Sequence, residues 1–155
     1  MKNQKGFSLV ELLLVVIIIG IVAAIAIPNL LASRRAANEA SAINSLRTIH
    51  SAQATYQATS GANTNYAATL AALTGAGLID PALASGQKSG YNIHMFGGAG
   101  LYCSEALPVS GSTGTRGFVA NEPGVIYQYA TDVLADAACD ETDGTFTLGG
   151  GTASQ

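Results

Sequence analysis

The side chains in this sequence with chemistry beyond packing are few, and most arrive without the partners their chemistry needs. His50 and His94 are accompanied by neither an HExxH zinc pattern nor a GxSxG nucleophile elbow, and both read as structural. Gly98-Ala-Gly100-Leu-Tyr-Cys103 lacks the last glycine of the dinucleotide fingerprint and precedes no helix, so it reads as a hairpin. Cys103 and Cys139 cannot form a four-thiolate zinc site and neither lies in a CxxC. A single disulfide between them, formed in an oxidising compartment, is expected, with two unrelated buried thiols as the alternative. Asp132, Asp136, Asp140, Glu141 and Asp143 are hard oxygen ligands of the kind calcium takes. Asp140-Glu-Thr-Asp-Gly144 is not an EF-hand loop, however, and a solvated acidic edge is the reading adopted. No metal, cofactor or catalytic residue is expected. Glu11 is different: it is a carboxylate at the mouth of a long apolar run, where an unpaired charge costs a few kcal/mol.

The elements that would position these groups follow from composition. A chain of 155 residues has room for one ordinary domain, and 48% apolar content excludes disorder. Only 11% of residues are charged, against about a quarter in typical proteins, and the shortage is uneven. After Lys2, Lys5 and Glu11 the next charge is Arg34, so the 22 residues Leu12 to Ser33 carry none. A net charge of −3 argues against a surface that grips nucleic acid throughout. The absence of tryptophan and 6% aromatics argue against a carbohydrate-stacking platform.

The segment from Leu12 to Ile27 is apolar all round, the mark of a helix buried in lipid or protein. From Phe7 to Ile27 it would span about 31 Å, the thickness of a bilayer core. A secretory signal peptide competes with a membrane helix, because Ala24-Ile25-Ala26 has the A-x-A cleavage pattern. Glu11 and the apolar residues beyond that site weigh against it. Lys2 and Lys5 are balanced by Arg34 and Arg35, so flanking charge does not set orientation.

Lys5-Gly6-Phe7-Ser8-Leu9-Val10-Glu11-Leu12 resembles the leader-peptidase signature of type IV pilins and their pseudopilin relatives. The resemblance implies that prepilin peptidase cuts between Gly6 and Phe7 and methylates the new Phe7 amine. It implies that Glu11 pairs with the N-terminal amine of a neighbouring subunit, which explains a carboxylate in an apolar segment. It also implies helix interruption at Gly20 and Pro28, with a simple proline kink as the alternative. Implied partners are identical or related pilin subunits, the peptidase, the assembly machinery of a pilus or secretion system, and the membrane.

Beyond Pro28 an amphipathic helix is expected, with Ala36, Ala40, Ile43, Leu46, Ile49 or His50, Gln53 and Tyr56 on one face. Arg34, Arg35, Glu39 and Arg47 decorate it, and Gly61 stops it. From Phe7 to Thr59 that is about 80 Å of helix, longer than a globular domain needs. A short helix over Tyr66–Leu73 and a turn begun at Pro81 lead to four strands: Tyr91–Phe96, Leu101–Leu107, Arg116–Ala120 and Val125–Ala130. Asn121-Glu-Pro-Gly124 joins the last two. The fold class is α+β, a long N-terminal transmembrane and spine helix packed on a small antiparallel sheet, the lollipop of pilin-like proteins. Its divisions are a leader (1–6), a transmembrane and assembly helix (7–33), an amphipathic spine (34–60), a connecting loop, sheet and C-terminal region (61–143), and a loose tail (144–155).

The function this implies is a structural subunit, not an enzyme, of a type IV pilus-like filament, made in the bacterial inner membrane and then periplasmic or at the cell surface. The alternatives are the major pseudopilin of a type II secretion system, or a membrane-anchored periplasmic binding domain that never polymerises. Nucleic acid is not an expected partner, since Arg34, Arg35 and Arg47 lie on the spine and only Lys88 and Arg116 remain on the head.

Overall fold

A computed structural model of the chain describes residues 6–130, 139 and 152–154. They form nine elements: α1 (Leu9–Thr59), α2 (Leu70–Gly75), α3 (Pro81–Ala84), β1 (Gln87–Lys88), β2 (Tyr91–Gly97), β3 (Tyr102–Pro108), β4 (Arg116–Asn121), β5 (Ile126–Ala130) and β6 (Thr152–Ser154). The chain divides into two compact units between Arg34 and Arg35.

The first unit is the N-terminal part of α1. Every residue from Gly6 to Arg34 is exposed except half-buried Ala23. An exposed apolar helix of this length has no partner in its own chain, and it is long and apolar enough to cross a membrane. In the single chain α1 runs as helix through both Gly20 and Pro28, so the interruption expected there is absent from this state. Proline removes one hydrogen bond, to the carbonyl four residues back, and the remaining backbone bonds on either side carry the helix across it. One turn later the Ser33 hydroxyl donates to the Asn29 carbonyl at 2.9 Å.

In the second unit the rest of α1 lies on the sheet. Its buried residues are Glu39, Ala42, Ser45, Leu46, Ile49, Ala52 and Gln53. The stripe is therefore rotated from the expected one, with Ala36 and Ala40 exposed and Glu39 and Ala42 inside. The helix ends where expected, but not through a left-handed glycine. Ala62 and Asn63 take the positive φ angles, 54° and 61°. Gly61 is required for another reason, because a Cβ there would overlap the Asn65 carbonyl.

Thr69 caps α2, its hydroxyl accepting from the Ala72 N–H at 3.3 Å, so this helix starts four residues later than Tyr66. Asp80 caps α3 in the same way, accepting from the Leu83 N–H at 2.5 Å, with Pro81 in the first turn. The six strands then follow in spatial order β1 to β6, all neighbours antiparallel. All four expected strands are present to within a residue at each end. The glycine-rich segment after β2 is the expected hairpin, closed by Gly98 N–H donating to the Leu101 carbonyl at 3.0 Å.

Alternation sorts the strands' side chains onto two faces. Tyr91, Ile93, Met95, Ala106, Phe118 and Ile126 join the α1 stripe in the main core. The pairings Phe96↔Cys103, Cys103↔Asn121 and Val119↔Tyr127 place a second cluster on the opposite face, where Cys103, Val119 and Cys139 are buried among Phe96, Tyr127 and Tyr129. Thr152–Ser154 is not loose but pairs with β5, covering an edge that would otherwise present unpaired backbone groups. The acidic residues Asp132, Asp136, Asp140, Glu141 and Asp143, and Gly149–Gly151, lie outside the described residues.

Candidate processing and assembly segment

Gly6 and Phe7 precede the helix in non-helical, exposed backbone, and the Phe7 ring is 75% exposed. A side chain added at Gly6 would meet nothing within 4 Å, so its own fold places no demand for glycine there. The Ser8 carbonyl accepts from the N–H groups of Glu11 and Leu12 at 3.1 and 3.2 Å, which closes the first turn. Glu11 thus stands one turn from Phe7 on the open start of α1, where the helix dipole favours a carboxylate. Among the described residues no cation pairs with it. Gly20 and Pro28 sit further along the same exposed helix. These five residues share one segment, and the two cysteines are elsewhere, joined as a disulfide on the outer face of the sheet.

The second unit holds its helix and sheet together with buried polar ties that the sequence reading missed. Glu39 is 6% exposed. Its Oε2 accepts from Arg116 Nε at 3.0 Å and Nη2 at 2.5 Å, and its Oε1 from the Thr115 N–H and hydroxyl, both at 3.2 Å. Burial alone would raise the Glu39 pKa, but the bonds from Arg116 and Thr115 outweigh it and hold the carboxyl below its usual 4.5. Burial first, and the nearby Glu39 charge second, push the Tyr91 phenol up to about 12, and its hydroxyl donates to the Arg116 carbonyl at 2.9 Å. The signal for Glu39 is its register. It stands three residues before Ala42 and seven before Leu46, which puts an acid on the buried stripe, and a buried acid needs a partner. That the partner lies 77 residues away leaves no local pattern to find.

Gln53 makes a second tie. Its amide accepts from the Ala67 N–H at 2.8 Å and donates to the Ala67 carbonyl at 2.9 Å, as a strand neighbour would. His50 Nδ1 is hydrogen-bonded to the Tyr102 hydroxyl, and its ring packs so closely on Gly124 that a Cβ there would come within 2.8 Å of Nε2. His94 is exposed on β2, paired across the ladder with Glu105. Among the described residues no group of three or more His, Cys, Asp or Glu is placed to hold a metal ion. Of the two head cations, Arg116 is held by Glu39 and Lys88 stands 3.8 Å from Asp80.

Arg116→Ala should lower stability by about 3 kcal/mol, because it strands a buried carboxylate; Glu39→Ala should cost less, since Arg116 is half exposed and can hydrate. The pH dependence carries the sign. A lowered Glu39 pKa contributes stability that is present above its unfolded value and lost as pH falls through the folded one. In Arg116→Ala the carboxyl loses its compensation, so that contribution should reverse and stability should fall as pH rises from about 4 to about 7. Denaturant unfolding of both proteins across that range checks it.

Comparison with known proteins bears on the N-terminal segment most directly. The family described as "Prokaryotic N-terminal methylation motif" matches residues 1–27. The chain is 45% identical over 78 residues to the type IV wide pilus major component PilA4 of Thermus thermophilus, covering 50% of this chain and 57% of that protein. It is 31% identical over 92 residues to the type II secretion system core protein G of Escherichia coli, covering 57% and 61%. It is 41% identical over 54 residues to the type IV major pilin protein PilA of Myxococcus xanthus, covering 35% and 24%. The chain thus spans less than two-thirds of the length of each. No solved structure matches it. The chain thus carries the prepilin-type methylation motif at its start, followed by an exposed apolar helix and an antiparallel sheet packed on that helix's second half, and it is similar to type IV pilins and to a type II secretion core protein.

Proposed function

We propose that this protein is a structural subunit of a type IV pilus-like filament, held in the inner membrane by the first part of α1 and polymerised through it. One observation carries the reading: the Gly6-Phe7 junction and Glu11 open directly onto an apolar helix that is exposed along nearly its whole length, while the head buries a core of its own. Prepilin peptidase removes residues 1–6 and methylates the Phe7 amine. The requirement for glycine at position 6 then comes from the peptidase, since nothing in this fold asks for it. The methylated amine keeps its charge, and Glu11 of one subunit pairs with that of the next. Gly20 to Pro28 is the stretch that gives up helix in the packed filament, where one hydrogen bond is already absent. Neither role is catalytic.

A second reading, the major pseudopilin of a type II secretion system, is favoured by the likeness to core protein G. Shearing separates the two: surface pili release the subunit into the medium, whereas a periplasmic pseudopilus does not. The processing step has its own test. Mass spectrometry of protein extracted from membranes should find an N-terminus at Phe7 carrying one methyl group. An N-terminus at Ile27, after Ala26, would overturn the reading in favour of an ordinary exported protein.

A further inference from the structure

Within the second unit, α1 and the loop before α3 enclose an open groove of about 550 Å³, lined by Asn44, Arg47, Thr48, Ser51, Thr55 and Leu78. The hydroxyls of Thr48 and Thr55 are turned back onto the Asn44 and Ser51 carbonyls of their own helix, each at 3.0 Å. Arg47 is the charged group in that lining. Arg47 is exposed, and among the described residues it has neither an ion pair nor a hydrogen bond.

Charge is divided along the chain in a way that supplies a partner. Residues 7–60 carry three arginines against Glu11 and Glu39, a net of +1, whereas residues 61–155 carry Lys88 and Arg116 against eight acids, a net of −6. Five of those eight lie between Asp132 and Asp143, and no basic residue follows Arg116. One copy of the chain therefore offers a cation in a groove that no described residue pairs and a concentrated acidic stretch, which a second copy complements. From this we infer that the Arg47 groove is a contact between subunits, occupied by carboxylates from the Asp132–Asp143 stretch of a second copy. The inference rests on the filament reading and extends it: the helix pairing at Glu11 joins subunits within the membrane segment, and Arg47 sets the register of the heads outside it.

The test uses filaments from cells making the full chain. Arg47→Lys keeps the charge and supplies an amine that a carbodiimide couples to a carboxylate in contact with it, forming an amide with loss of water to the reagent as a urea. Lys88 is the only lysine the natural chain carries beyond the leader, so the linked peptides are simple to assign. The expected product is a covalent dimer on denaturing gels in which the introduced amine is joined to a carboxylate between residues 132 and 143. Intact filaments with no adduct at the substituted position, with adducts from it to other regions, or with adducts confined to the monomer band would overturn the inference. Arg47→Glu should lower filament number by roughly tenfold or more, with the processed subunit at its normal level in membranes. Unchanged filaments would likewise overturn it. If that variant fails to accumulate, the coupling of Arg47→Lys decides alone. Absence of the subunit from any filament in the unaltered strain would instead count against the function proposed above.

Discussion

Glu11→Ala should abolish filaments while leaving the subunit processed and in the membrane. The substitution touches nothing in the folded head, because α1 is exposed around position 11 and its first turn is closed by the Ser8 carbonyl, not by the Glu11 side chain. As a monomer in lipid the variant is relieved of a charge whose burial costs a few kcal/mol, so it should insert at least as well. What it loses is the reason to leave the lipid for a neighbour. Breaking a buried pair by removing one partner typically costs about 3–5 kcal/mol, and in a filament that loss recurs at every subunit. Electron microscopy for filament number and mass spectrometry for the Phe7 terminus check the two halves separately. Normal filament numbers would sink the pairing.

Replacing Cys103 and Cys139 together by serine should produce a large stability loss in the head. Their sequence separation of 36 corresponds to roughly 4 kcal/mol in the chain-entropy treatment, against a total of about 5–15 kcal/mol for a small domain. Both residues are buried, and the cluster they share with Val119, Phe96, Tyr127 and Tyr129 covers the face of the sheet turned away from α1. Without the bond, the contacts of this minor cluster are what remains among the described residues to hold that face closed. The variant should melt well below the parent protein and be cut by protease beyond Ala130. Two thiols that alkylate freely in parent protein purified without reductant would show that the bond does not form.

The features that can be read from the sequence are those written in local pattern. Alternation in Tyr91–Gly97 and a Pro-Gly turn at 123–124 announce strands and their connection without reference to the rest of the chain. The charge-free stretch after Glu11 announces a helix buried in lipid or in protein in the same way. What escapes such reading is non-local. Apolarity alone centres the α1 stripe on Ala36 and Ala40, yet the sheet selects the face through Glu39, whose partners Thr115 and Arg116 come from β4 and the turn before it. Nothing in Thr152-Ala-Ser154 marks a strand; it is one because β5 has an open edge beside it. Cys103 and Cys139 are legible as a pair only as far as counting allows.

Among the described residues the sheet's order in space is its order in the chain, β1 through β6, with no strand inserted between two earlier ones. Such a meander can be assembled progressively, each new strand finding its template already in place, and from β1 to β5 the connections between partners stay short enough to close quickly. If the head crosses a membrane in an extended state, as the proposed function requires, that arrangement lets folding on the far side keep pace with arrival. Helix first, then hairpin upon hairpin, leaves little time for an unpaired edge to meet another emerging chain. The cysteine bond, which spans β3 to a residue beyond β5, can then close over a sheet already formed.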